Sequence, residues 1–209
     1  MTENAPTGSR WFARFWRFLE GPVDTMLRPA KLEVFVDLPQ RLVEIGAGRG
    51  ANLVHYPPGT SVLAFEPNEH MHDALRKKAA EHHIDLEIRS DDFRAAGLPA
   101  DSEDAVISTL VLCSVGEVRT MVAEILRVLR PGGRFIFIEH VDKEPGTIGH
   151  FAQRVLRRPW KKVGDGCDLM PGTVDVIGAA GFSSLDTVIK KVGPAVDPTS
   201  RTYLGTATK

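Results

Sequence analysis

The residues best suited to chemistry gather first around Gly46-x-Gly48-x-x-Ala51, inside the stretch Val43-Glu44-Ile45-Gly46-Ala47-Gly48-Arg49-Gly50-Ala51-Asn52. Glycines at this spacing let a backbone approach a ligand where a side chain would collide, as in loops that carry dinucleotide phosphates. Glu66 follows at about the 20-residue distance where a ribose-binding acid belongs. Glu44, however, puts a carboxylate just ahead of the first glycine, a poor neighbour for a pyrophosphate. The loop therefore points to a ligand with a positive end.

The elements that must position these residues follow from periodicity. Leu42 to Ile45 reads as a strand, and a helix is expected from the glycine loop to about Tyr56. Val62 to Phe65 is a second strand, and Asn68 caps a helix carrying Met71, Leu75 and Ala79 on one face. Ile84, Leu86 and Ile88 alternate as a third strand, which ends at Asp91-Asp92. Ala105 to Leu112 is an apolar run suited to a central strand buried on both faces. Ser114-x-x-Glu117 forms a capping box before a helical stripe of Val118, Met121, Val122, Ile125, Leu126 and Leu129. Pro131-Gly132-Gly133 then turns into a fifth strand, Arg134 to Glu139. After an interrupted helical region (146–180), Phe182 to Ile189 and Tyr203 to Ala207 form an antiparallel pair joined by the loop 190–200. The expected fold is an α/β, Rossmann-like, doubly wound and mostly parallel seven-stranded sheet with an antiparallel C-terminal strand, in a single domain.

Ligands of open α/β sheets bind at the carboxyl ends of the strands. Here those ends bring Glu44, Glu66, Asp91, Asp92, Phe93, Thr109, Cys113, Glu139 and His140 to one rim. Any single acid after a strand is usually a solvated turn residue, but five polar strand ends on one rim indicate a shared site. S-adenosyl-L-methionine suits it: two ribose hydroxyls, an adenine amine, a positive sulfur and no phosphate. Glu66 can accept both hydroxyls and Asp91 the amine, with the backbone at Asp92 or Phe93 meeting a ring nitrogen. Glu44 attracts the cationic amino-acid end, directly or through water.

The motifs "VEIGAGRGAN", "LAFEPNEHM", "SDDFRAAGLP", "AVISTLVLCSV" and "EILRVLRPGGRFIFIEHV" together resemble those of class I S-adenosylmethionine-dependent methyltransferases. "GANLVHYPPG", "TLVLCSV", "EHV" and Trp160 followed by "DGCDL" are similar to the branch containing alkyl thiol S-methyltransferases. The resemblance implies cofactor contacts at Glu44, Gly46, Gly48, Glu66, Asn68, Asp91 and Thr109. Ala47, Gly50, Asn52, Pro67, Met71, Asp92, Phe93 and Leu110 complete the expected cofactor set. One departure is the N-terminus: mammalian members carry an apolar anchor, and this chain has a short Arg/aromatic helix instead.

The sequence does not show a di-acid-plus-Asn metal set, so no metal is expected. His140 is the first candidate base, since imidazole titrates near neutral pH, and its alternative is to orient a loop. Cys113 belongs near the cofactor or acceptor, or else fills a buried strand end. Cys167 and Asp168 are placed at the acceptor pocket, and a catalytic role is assigned to Asp168 with His140 and Cys113. Trp11, Phe12, Phe15 and Trp160 are expected to wall that pocket.

At 209 residues, 43% hydrophobic and 25% charged, the composition is that of one soluble α/β domain. A net charge of -1 gives no global pull toward nucleic acid. Two cysteines without metal or disulfide spacing fit a reducing, cytoplasmic setting. The division expected is a tail (1–9), an amphipathic lid or membrane-surface segment (10–38) and a methyltransferase domain (39–209). In "RWFARFWRFLEG", Arg10, Arg14 and Arg17 share a face, six large apolar residues fill the rest, and Gly21-Pro22 ends the helix. Burying all six is worth on the order of 10 kcal/mol, so the helix either packs as a lid or lies at a membrane surface with its arginines on anionic lipid. The function expected is methyl transfer to a small, apolar or aromatic acceptor, with a thiol first. O- or N-methylation of a small aromatic or a phospholipid headgroup, an NAD-dependent oxidoreductase and a non-catalytic cofactor-binding protein stay open.

Overall fold

The computed structural model describes residues 9–194 and 197–209. All but Ser9 of the expected tail (1–9), together with residues 195 and 196 of the 190–200 loop, lies outside the described residues. Five strands alternate with helices along the chain: β1 (Arg41–Ile45), β2 (Ser61–Phe65), α2 (His72–Glu81), β3 (Asp85–Arg89), β4 (Glu103–Thr109), α3 (Val118–Val128) and β5 (Leu129–His140). Helix α1 (Arg10–Val34) precedes them, and α4 (Ile148–Val163), α5 (Thr173–Gly178), β6 (Ser184–Lys191) and β7 (Arg201–Thr208) follow. The seven strands form one sheet in the order β3-β2-β1-β4-β5-β7-β6. Strand β7 runs antiparallel to both of its neighbours, and the other pairings are parallel. This is the expected Rossmann-like topology.

Period-two alternation sorts the sheet into two cores. Phe135 and Phe137 of β5 face α3 and α5, packing with Val122, Ile125 and Ile177. Ile136 and Ile138 face the other way, toward Leu75 of α2 and Leu27, Ala30 and Val34 of α1. Helices therefore cover both faces, and the carboxyl ends of the parallel strands open on one rim.

Four local expectations are corrected. Helix α1 does not stop at Gly21-Pro22 but runs on through Pro22 and Pro29. Each interior proline costs roughly 3 kcal/mol in a helix. Burial offsets it: Leu27, Ala30 and Val34 sink into the sheet, and Thr25 Oγ1 covers the Gly21 carbonyl at 2.9 Å. Lys31 is buried there, paired with Asp24 and donating to Ala51 O at 3.0 Å. The chain after the glycine loop forms only a 3-10 turn, Leu53–His55, because Glu44 draws Asn52 and Tyr56 inward and Pro57-Pro58 follows. The capping box does not form, since α3 starts at Val118 with Glu117 at its N-cap and no side-chain cap bond. Leu129 leaves the helical stripe to begin β5, pairing with Glu103.

Candidate active site

A cavity of about 1360 Å³ opens at the carboxyl ends of β1, β2, β4 and β5. That exceeds the ~300–1,000 Å³ of a pocket for one small ligand, so the space accommodates a nucleoside cofactor and an acceptor together.

The cofactor side is built on backbone. Gly46 turns at φ +65, and a side-chain carbon there would sit 2.5 Å from Val111 Cγ2, so only glycine fits without displacing the loop after β4. Glu66 ends β2, with Oε2 accepting from Gly48 N at 2.7 Å and Oε1 from Asn68 N at 2.8 Å. Burial raises its pKa, and the two backbone donors and His72 oppose that rise. A carboxylate has about four acceptor sites, so each oxygen keeps a lone pair for one hydroxyl of a ribose diol. Asn68 turns the chain there, its side chain accepting from His70 N at 3.2 Å. Pro67, Met71, Thr109 and Leu110 also line the cavity, Leu110 at φ +57. Phe93 packs edge-on against Phe65, with ring centroids 5.2 Å apart.

Asp91 and Asp92 line the cavity but are engaged by neighbours. Arg89 donates to Asp91 at 2.9 Å and holds its pKa low. Arg94 does the same for Asp92, whose side chain also accepts from Arg94 N at 2.9 Å to cap the turn Phe93–Ala95.

Four residues expected at the cofactor stand outside this cavity. Glu44 is 1% exposed, its carboxylate accepting from Asn52 Nδ2 at 2.8 Å and Tyr56 OH at 3.0 Å. Burial pushes its pKa up to about 7, against the pull of Asn52, Tyr56 and Lys31. Asn52 also donates to Thr109 Oγ1 at 3.1 Å, so Glu44 and Asn52 clamp the glycine loop to β4. Glu44, Ala47 and Asn52 border only a small adjoining space, and Gly50 packs beneath the loop against Leu53 and Leu75.

The acceptor side draws on distant segments. His140 ends β5 and is 2% exposed, with Nε2 3.2 Å from Cys167 Sγ and no hydrogen-bond partner for Nδ1 among the described residues. Cys113, His140 and Cys167 bring their donor atoms within 4.8 Å of one another. Burial alone would lower the His140 pKa, but Cys167 and Glu139 reverse this and raise it. Interaction with Cys113 and then with His140 draws the Cys167 thiol down, while its neighbour Cys113 is pushed up. Glu139, the preceding residue, accepts from Ser108 Oγ, Val111 N and Leu112 N at 2.8, 3.0 and 3.1 Å, bracing the loop that presents Cys113.

Phe12, Phe15 and Trp160 line the cavity as expected positions of its wall, joined by Trp16 and Leu19. Trp11 does not: it is 55% exposed and stacks on Phe15 at 5.2 Å. Phe18 is also exposed, so the six apolar side chains of this helix are only partly buried, because they point round most of its circumference and cannot all face inward. Asp168 lies outside the cavity, held by Arg157 Nε and Nη2 at 2.6 and 2.8 Å while capping Met170 N. Burial would raise its pKa, but the Arg157 ion pair lowers it. Sequence reasoning missed Glu20, which bridges Arg49 at 3.2 Å and Lys78 at 2.8 Å, tying α1 to the glycine loop and α2. It also missed the bracing role of Glu139 and the buried Lys31, which reads in sequence as an ordinary surface lysine.

Comparison with known proteins agrees with this geometry. Residues 43–137 match the family described as a methyltransferase domain. The chain is 42% identical to thiol S-methyltransferase TMT1B of Rattus norvegicus over 147 residues, 69% of this chain and 60% of that protein. It is 35% identical to thiol S-methyltransferase TMT1A of Homo sapiens over 187 residues, 84% of this chain and 77% of that protein. This chain thus spans about 60% of the length of the TMT1B relative. The fold is shared with a SAM-dependent methyltransferase from Thermotoga maritima, with a TM-score of 0.64 and 22% identity, covering 95% of this chain and 97% of that one. On these grounds the chain belongs to the class I S-adenosyl-L-methionine-dependent methyltransferases.

Proposed function

We propose that the chain methylates the sulfur of a small, apolar thiol. The observation that carries this reading is the imidazole and two thiols gathered at 4.8 Å or less in a cavity otherwise walled by aromatic and aliphatic side chains. The similarity to proteins named thiol S-methyltransferases points the same way. When bound, S-adenosyl-L-methionine supplies an electrophilic methyl group on a positive sulfur. Glu66 accepts the ribose hydroxyls, and Gly46 and Gly48 leave the loop open to close approach. Asp91 and the backbone at Asp92 and Phe93 bracket the base end, while Glu44 and Asn52 act from behind by fixing the loop.

Phe12, Phe15, Trp16 and Trp160 exclude water around the acceptor and align its sulfur, as an in-line displacement requires. His140 takes the thiol proton, with Cys167 beside it favouring the charged imidazole. A thiol needs little help, since only a modest pKa shift makes a sizeable thiolate fraction. The test is label transfer from methyl-labelled S-adenosyl-L-methionine to matched alkyl and aryl acceptors bearing SH, OH or NH2. Label on the thiol supports the reading; label confined to the phenol or the amine overturns it.

Exposed apolar and basic residues on two helices support peripheral contact with anionic lipid. Trp11 and Phe18 of α1 stand exposed beside Arg14 and Arg17, and Ile148, Phe151 and Val155 of α4 beside Arg154, Arg158 and Lys162. No described helix is long and apolar enough to cross a membrane, so the contact would be interfacial. Co-sedimentation with anionic but not zwitterionic vesicles is expected, and equal recovery in both supernatants overturns it.

A further inference from the structure

The chain has two cysteines, and the fold brings both to the same wall of the acceptor cavity. Cys113 lies buried after β4, and Cys167 lies half-buried in the turn after α4. The two segments are tied by a backbone bond, Asp168 N to Cys113 O, at 2.8 Å. Their sulfurs lie within 4.8 Å, and a disulfide needs about 2.05 Å. The remaining gap lies between two short side chains on segments that a backbone hydrogen bond already ties together.

The surroundings divide the pair into unequal partners. Cys167 reaches the cavity and has an imidazole nitrogen 3.2 Å from its sulfur. That is the setting of an attacking thiolate. Cys113 is the more buried of the two, its sulfur 3.7 Å from Leu110 O and 3.6 Å from Ser114 Oγ and within 4.8 Å of Cys167, which is the setting of a resolving thiol.

From this arrangement we infer that Cys167 and Cys113 form a redox-active dithiol that reduces small-molecule disulfides entering the acceptor cavity. The Cys167 thiolate attacks one sulfur of R–S–S–R, the S–S bond breaks, and one RS⁻ leaves. Cys113 then gives up its proton and attacks Cys167 sulfur in the mixed disulfide, expelling the second RS⁻. The protein dithiol is oxidised to an internal disulfide and the small disulfide is reduced. The two protons shed by the cysteines end on two RSH. A small dithiol reductant restores the protein. The activity rests on the reading of this cavity as a thiol-acceptor site and deepens it: the acceptor in its oxidised form is converted in place to the form that can be methylated.

The test uses a chromogenic aryl disulfide with the reduced, native full chain, without S-adenosyl-L-methionine. The chain is expected to release two aryl thiolates per molecule and to end as a monomer lighter by a pair of hydrogens, with no adduct. Cys113→Ser is expected to release one and retain a mixed disulfide, and Cys167→Ser to react about 100-fold more slowly. A wild-type product that keeps the aryl adduct, or that forms cross-linked dimers, overturns the inference. Label transfer to a thiol, run separately under a dithiol reductant, distinguishes the two readings. Transfer with adduct retention sinks only the dithiol, and internal disulfide formation without transfer sinks only the methyl acceptor.

Discussion

The two ends of the cavity are built in opposite ways. At the proposed cofactor end, the lining comes from loops directly following β1, β2 and β3, and Glu66 is locked by backbone N–H groups. At the acceptor end, the wall is assembled from α1, the loop after β4, the end of β5 and the turn after α4, and it leaves His140 Nδ1 without a partner among the described residues. Short-range backbone chemistry makes a site that tolerates little change. Long-range side-chain assembly makes one that can be retuned. On the proposed reading, the cofactor end would serve a fixed ligand and the acceptor end would set specificity.

Substitutions should break this contrast in a definite order. The largest effect is expected at Gly46→Ala, where the new carbon lies 2.5 Å from Val111 at φ +65. Cofactor binding by calorimetry should be lost, with a lower unfolding midpoint; retained affinity would contradict the tight-cradle account. Glu66→Ala strands two backbone donors and removes the ribose acceptor, at roughly 1–3 kcal/mol for each lost partner. Cofactor affinity should weaken about 100-fold while the acceptor KM stays put. His140→Gln should do the reverse, cutting kcat by about 100-fold with cofactor affinity unchanged. Because the His140 pKa is raised, wild-type turnover should fall as pH drops through it, and the variant should lose that acid limb.

Glu44→Gln probes stability rather than turnover. The folded chain holds the Glu44 proton up to about pH 7, whereas an unfolded carboxyl releases it near its ordinary 4.5. The folded state therefore binds the extra proton between these values, and stability falls as pH rises through that window, by roughly 3 kcal/mol at about 1.4 kcal/mol per unit. Thermal melts from pH 5 to 8 should show this decline in the wild type and a flatter profile in the variant; parallel slopes would sink it. The smallest effect is expected at Asp168→Asn. This ion pair is partly exposed and worth at most about 1 kcal/mol, so kcat should change by less than about twofold.

The same contrast explains what was legible in the sequence. The strands, the glycine loop and Glu66 could be read because period-two burial and fixed motif spacing are local properties. The length of α1 could not, because Gly21 and Pro22 favour termination locally and only the buried faces at Leu27, Ala30 and Val34 carry the helix onward. Glu44 was visible as an acid beside the loop, yet its direction depends on Asn52 and Tyr56 folding back over it. Asp168 and Cys167 are adjacent in sequence and diverge in space, one held by Arg157 and the other facing His140. No spacing rule separates them, since the choice is made by which neighbour each side chain meets after folding.

Strand β5 has β4 on one side and β7 on the other, so it has no free edge along its pairing with them. His140 is fixed at the end of this doubly held strand, while Cys167 and Trp160 sit on the end of α4 and the turn that follows it. A protein arranged this way can drift in substrate range without losing its reaction. Variation confined to residues 160–167 would reshape the chamber, and the imidazole proposed to receive the proton would stay where the sheet puts it.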